Sequence, residues 1–356
     1  MLIQTNSFQV TAPALLFAPE FHLFDVSPDL ESIKFLVVEE NNLEQAPFID
    51  IRFEPLAQGH FTVPTKQLIS LENMHDMQRP APMYIFHHAF VCSTLLARCL
   101  NQIDAFFSLK EPWILRRLSD IKRSKTSNKS NKEWQELVTT CLRLLSKNYH
   151  RGKHPVIKVT NVANNLVEDI LKSQSGEKIL YLYSDLEAFL ISNLKKPAET
   201  QRKMPGLAAN FLRDSDFINK HPSFCQLNQL NFLQICGIIW VVNLYNFKFS
   251  TQGLGSNQIK TLFMKDFLAD MEGTLSKLSA FFNHQASTDD LAKMIDPSVT
   301  QTDAKHQHIR YGTEHKKAES EQILKRFGNE ISAVNKWLSP LIDELGLLDY
   351  LNQLKL

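Results

Sequence analysis

The sequence predicts an α/β protein, a three-layer sandwich around a mainly parallel sheet, with a small β-rich addition at the N-terminal side. Three observations predict it. From residue 83 onward, short apolar runs without helical spacing alternate with stretches whose apolar residues return at one helical face, as parallel strands joined by crossover helices require. Residues 1–80 instead carry Phe-, Val- and Ile-rich segments closely spaced between Pro, Asn, Asp and Gly. The composition, 44% hydrophobic and 22% charged over 356 residues, suits a globular chain with a large core.

Taken in order, residues 21–26, 34–40, 48–53 and 60–63 are expected as strands of the addition, with a boundary near Arg79 and Pro80. Residues 1–80 then form one unit and residues 81–356 the α/β domain. Residues 83–86 are an apolar run, and Leu95, Leu96, Cys99, Leu100 and Ile103 follow at helical spacing. Residues 105–109 form a strand, residues 112–121 a helix opened by Pro112, and residues 134–146 another helix. Between those helices lies KRSKTSNKSNK (residues 122–132), read as a solvated basic loop. Residues 155–159 and 178–183 are strands, each followed by a helical pattern, at 162–171 and 186–194; Ser184 and Glu187 make a capping-box pair. A buried helix at 226–247, a strand at 260–264, a helix at 273–282 and a mostly helical tail at 314–351 complete the chain.

The loop after residue 86 is the first place to look for chemistry. It leads into a helix N-terminus, where backbone N–H groups lack intrahelical partners and the dipole favours an anion. Val91, Cys92, Ser93, Thr94 and Leu95 line this turn, and the two hydroxyls can add donors. Ligands of parallel sheets bind at the carboxyl ends of the strands. His87, Thr160 and Ser184 stand at such ends. Lys158, inside an apolar strand, must pair with a carboxylate such as Glu111 or face an anionic ligand.

Other classes are disfavoured. A net charge of +1 gives no basic field for nucleic acid. The clean apolar run at 235–242 falls short of the roughly 20 residues that cross a bilayer, so no membrane partner is expected. Five cysteines without framework or metal spacing suit a reducing, cytoplasmic setting. His306, His308 and His315 have no regularly spaced Cys or acidic partner, so no metal site is expected. A homo-oligomer is compatible with the sequence.

Four segments in order carry a resemblance. FVCSTLL (residues 90–96) is similar to the phosphosulfate loop of the sulfotransferase family, and PVIKVTN (155–161) to its strand ending in Lys-Thr-His. KILYLYSDLEAFLIS (178–192) resembles its 3′-phosphate-binding strand and helix, and TLFMKDFLADMEGTLSKLSAFF (261–282) its Tyr-Glu-Asp-Leu strand and following helix. The resemblance spans roughly residues 83–351. It implies a P-loop architecture, a 3′-phosphoadenosine 5′-phosphosulfate donor and a small-molecule acceptor bearing a hydroxyl or amine. It places the donor on residues 91–95 with Ser184, Ser192 and Arg310, and chemistry on Lys158; His87 and His88, side by side at the strand end, can each serve as the loop's cation when protonated or as base when neutral, with His88 preferred because it is nearer the loop. The chain departs from the pattern at Phe90, where the family has Lys or Arg, at Cys92, where it has Gly, and at Thr160 and Ser184, where it has His and Arg. Two alternatives stand beside this expectation: a catalytically degenerate protein binding a nucleotide or protein partner, and a nucleotide kinase or NTPase, which the absence of a Gly-Lys-Ser/Thr loop disfavours.

Overall fold

The computed structural model describes residues 2–4, 9–75, 79–126, 128–147, 149, 152–173, 177–254, 257–302 and 313–356. Helix α1 (Ala12–Phe17) leads into strands β1 (Phe21–Val26), β2 (Ser32–Val37) and β3 (Gly59–Pro64). The α/β part follows with β4 (Met83–His87), α2 (Ser93–Leu100), β5 (Phe106–Lys110), α3 (Trp113–Ser124), α4 (Asn131–Leu145) and β6 (His154–Lys158). It continues through β7 (Lys178–Tyr183), α5 (Leu186–Leu194), α6 (Phe232–Thr251), β8 (Ile259–Phe263) and α7 (Met271–Phe281). Helices α8 (Thr313–Glu344) and α9 (Leu347–Gln353) close it.

A short antiparallel pair, Leu2–Gln4 with Gln9–Thr11, precedes α1, and strands β1, β2 and β3 make an antiparallel sheet in that order, so the N-terminal addition is β-rich as expected. The other five make a wholly parallel sheet in the order β8-β7-β4-β6-β5. From β4 the chain crosses to the edge strand β5 and returns to β6 between them, then builds outward on the other side through β7 and β8. The switch point therefore lies between β4 and β7, where a crevice opens at the carboxyl ends of such sheets.

Alternation along the strands divides the core. Ile85, Val156 and Leu180 face α2 and α7, packing with Leu96, Leu275 and Leu278. Tyr84, Ile157 and Tyr181 face the other way, into one continuous core with α3 to α6 and with Leu23, Phe35 and Val63 of the addition. The addition thus shares its core with the main sheet. Helix α6 is long and apolar enough to cross a membrane by length and composition, yet 78% of its apolar window is buried inside the fold.

Several elements depart from expectation. Residues 48–53 form no strand, although Phe-Ile-Asp-Ile-Arg-Phe alternates like one. Pro47 cannot donate, the Asp50 carboxylate accepts the Arg52 N–H (3.0 Å), and the Ile49 backbone bonds to the β5–α3 junction instead. The second strand ends at Val37 and residues 40–45 turn helical. The helix expected at 162–171 begins as a 3-10 turn, Asn161–Leu166, before Val167–Ser173. Asp185, not Ser184, caps α5, accepting the Ala188 N–H at 2.7 Å. Helix α6 begins at Phe232, set by the reciprocal Asn231–Gln234 capping box. All five cysteines are free thiols.

Candidate functional site at the carboxyl edge of the sheet

The loop between β4 and α2 is anchored by what it buries. Val91 and Leu95 are sunk in the core beneath α2, so these two can meet a ligand only through their backbone. Phe90 (φ 68°) and Cys92 (φ 61°) adopt left-handed backbone, at a cost of about 1 kcal/mol or more each for residues with a Cβ. Cys92 thus takes the backbone conformation that glycine adopts most readily. It is also the N-cap of α2, and it makes no side-chain capping bond. The first-turn amides of α2, at Ser93, Thr94 and Leu95, have no acceptor within the helix. Beside them, Lys196 places its ammonium 4.7 Å from the Phe90 ring, which itself packs on Phe189. Lys196 brings to this loop a positive charge that residues 90–94 do not contain; no local signal in the sequence marks it.

At the carboxyl ends of β5 and β6 lies an ionic cluster. Lys158 shares its sheet face with Val156, and His87 with Ile85, which puts both on the α2 side. The Lys158 side chain is 1% exposed and ion-pairs with Glu111, the residue after β5. Of the two readings of Lys158 open in the sequence, the structure therefore supplies the carboxylate partner. Glu111 has a left-handed backbone (φ 58°), and its N–H donates to the Lys158 carbonyl (2.7 Å). Burial pushes the Glu111 carboxyl up; the Lys158 charge, with the neighbouring His87 ring and the hydrogen bonds from Lys158 and Thr160, outweighs it and holds the carboxyl below its usual range. Thr160, standing where the resemblance expects a His, is a hydrogen-bond partner of that carboxylate.

His87 is buried and neutral, its pKa lowered to about 3 by burial and by Lys158. Its Nδ1 meets the His88 carbonyl (2.8 Å), while Nε2 has no hydrogen-bond partner among the described residues. Asn164 donates to the His87 carbonyl (3.0 Å).

His88 ties the loop after β4 to the end of β7. Its Nδ1 lies 2.9 Å from the Ala89 carbonyl, and its Nε2 accepts the Ser184 N–H at 2.9 Å. Both ring nitrogens are engaged, and burial lowers its pKa to about 4. The bond crosses the switch-point crevice. Ser184 therefore offers its backbone to His88, and its carbonyl accepts the Trp240 indole N–H (2.9 Å), leaving its hydroxyl 3.1 Å from the Asp185 carbonyl. Ser192 is half-buried near the end of α5. Arg310, with Lys305, His306 and His308, lies outside the described residues; the segment leading to it reaches α2 through Arg98, which donates to Thr302 Oγ1 (3.1 Å).

The N-terminal addition also reaches this cluster. Phe48 sets its ring 5.6 Å from the Lys158 ammonium, and Arg52 stacks 4.3 Å from the same ring. Two cavities lie elsewhere. One of about 440 Å³ opens at the amino ends of the strands beside Met83, Phe106, His154 and Lys178, and one of about 770 Å³ lies by Arg123, Arg213 and Leu227. Among the described residues, no group of three or more His, Cys, Asp or Glu is placed to hold a metal ion.

The carboxyl edge thus joins an uncapped helix N-terminus to a lysine–carboxylate pair on a parallel sheet. No protein-family model and no curated protein matches the chain. Among solved structures it is similar to the sulfotransferase domain from the curacin biosynthetic pathway (14% identity, covering 74% of this chain and 99% of that one, TM-score 0.42). It is similar as well to a sulfotransferase from Mycobacterium tuberculosis H37Rv (12% identity, 74% and 81% covered, TM-score 0.42). A mouse sulfotransferase complexed with PAP is a further match (10% identity, 78% and 96% covered, TM-score 0.33).

Proposed function

We propose that this chain transfers a sulfuryl group from 3′-phosphoadenosine 5′-phosphosulfate to a hydroxyl or amine of a small molecule. The observation that carries the reading is the buried Lys158–Glu111 pair at the carboxyl end of the parallel sheet, on the strand next to the one that leads into α2. The four sequence segments of the resemblance, each on its expected element, support it.

In this scheme the amides of Ser93 and Thr94, with the Lys196 charge nearby, receive the phosphosulfate. Lys158 stabilises negative charge on the bridging oxygen as the sulfur–oxygen bond to phosphate breaks. Glu111, already anionic and bonded to Thr160, takes the acceptor proton as the new sulfur–oxygen bond forms. The nucleotide leaves with the bonding electron pair. His87 lies on the same sheet face, and His88 fixes the loop. The five free thiols fit a reducing, cytoplasmic setting for this reaction.

Calorimetric titration of the full chain with 3′-phosphoadenosine 5′-phosphate, against ATP and GTP at equal ionic strength, tests this reading. Selective micromolar binding is expected. A folded chain that takes none of the three overturns it and favours the second reading, a catalytically silent protein. The His88–Ser184 bond favours that alternative, since it occupies the Ser184 amide at the strand end where a 3′-phosphate would be held.

A further inference from the structure

The sulfuryl-transfer reading leaves the N-terminal addition without a role, yet one of its turns sits on the reacting groups. The Ile49 N–H donates to the Lys110 carbonyl (2.7 Å), and the Ile49 carbonyl accepts the Trp113 N–H (2.9 Å). These bonds seat residues 48–53 on the carboxyl end of β5, next to Glu111. The turn is held in shape by Asp50, which accepts from Arg52 Nε at 2.8 Å and from Nη2 at 2.5 Å. Arg52 then stacks on Phe48, and Phe48 lies against the Lys158 ammonium. Asp50, Arg52, Phe48, Lys158 and Glu111 form one chain of contacts running from the addition into the ionic pair.

We propose that this turn is the water-excluding wall of the reaction site, with Phe48 the shield over Lys158 and Arg52 the clamp that holds Phe48 in place. The proposal rests on the sulfuryl-transfer reading. A bound phosphosulfate is open to water unless its surroundings keep water out. An aromatic ring suits that position, because it meets an ammonium favourably through its π face and brings no group that could itself accept the sulfuryl. A backbone turn merely capping β5 would need only Ile49; the ring over the lysine and the guanidinium over the ring go beyond that. Phe48 and Arg52 are positioning residues, acting through Lys158 and Glu111.

The test measures what leaks. Without an acceptor, water oxygen attacks sulfur, the bond to phosphate breaks, the nucleotide leaves with the electron pair, Glu111 takes the proton, and sulfate is released. In the full chain, Phe48→Ala is expected to raise sulfate release from the donor about fivefold while 3′-phosphoadenosine 5′-phosphate affinity stays within about twofold of the parent, and Phe48→Leu, bulky and apolar with no sulfuryl acceptor, to return most of the way to the parent rate. Unchanged sulfate release in a Phe48→Ala protein that still binds the nucleotide overturns the shield and leaves the transfer reading standing. A parent protein that binds no nucleotide overturns both, before any variant is made. Should Phe48→Ala fail to fold, Arg52→Gln decides: its side chain is 61% exposed, and a rise in sulfate release supports the clamp, whereas none overturns it.

Discussion

His88 and Ser184, 96 residues apart, close the switch-point crevice with one hydrogen bond from a backbone amide to an imidazole nitrogen at 2.9 Å. The ring is buried, so the bond cannot be replaced by water when it is lost. His88→Ala is expected to cost about 1–3 kcal/mol, and His88→Gln, whose amide oxygen can accept the same N–H, to recover part of it. Urea unfolding of the two variants checks this.

Acid should weaken the fold in a defined window. His22 and His87 have pKa values lowered to about 3, and His88 to about 4, in each case chiefly by burial. In the unfolded chain each titrates near 6.5. Between pH 6.5 and 4 the unfolded state therefore binds more protons than the folded one, and stability falls as pH falls, by up to about 1.4 kcal/mol per pH unit for each histidine. Urea midpoints at pH 7, 6 and 5 should follow this slope. His22→Gln, remote from the site, should remove about one third of it.

The Lys158–Glu111 pair serves both stability and the proposed chemistry, and a double variant separates the two. Glu111→Gln leaves a buried ammonium without its carboxylate and is expected to cost about 3 kcal/mol. Adding Lys158→Met should recover most of that stability, because no buried charge of the pair remains. Sulfuryl transfer should be lost in the single and the double variant alike. Recovery of transfer with stability would assign the pair a purely structural role.

The left-handed backbone at Cys92 gives a prediction of opposite sign. Glycine has no Cβ penalty at φ 61°, and its greater freedom in the unfolded chain offsets only part of the relief. Cys92→Gly is therefore expected to stabilise the protein by up to about 1 kcal/mol, read as a higher thermal midpoint.

The parallel sheet was legible because each of its strands is a short apolar run followed by a helical pattern. The order of β4, β5, β6 and β7 along the chain, and the exact span of α5, follow from that local signal. The turn at residues 48–53 was not legible as a turn. Its alternation is that of a strand, and it is overridden by backbone bonds to Lys110 and Trp113, some 60 residues further on. The site divides in the same way. The loop and Lys158 could be found from hydroxyls ahead of a helix and from a charge within an apolar run. The bond between His88 and the Ser184 amide was not legible, because a backbone amide carries no sequence signature. Phe48, Arg52 and Lys196 reach the site only through the packing of distant segments.

Lys147 gives the assembly of this fold a temporal order. Its buried ammonium donates to the carbonyls of Leu15 (2.8 Å) and Ala18 (3.0 Å), and to that of Phe21, and so fastens the end of α1 to the segment after α4. Leu15 and Lys147 are 132 residues apart. During synthesis at about 5–20 residues per second, the first helix and strand wait on the order of 10 s for that anchor to leave the ribosome. Until then the carbonyls at the end of α1 lack this partner, and that interval is when a nascent chain of this protein would most need a holding chaperone.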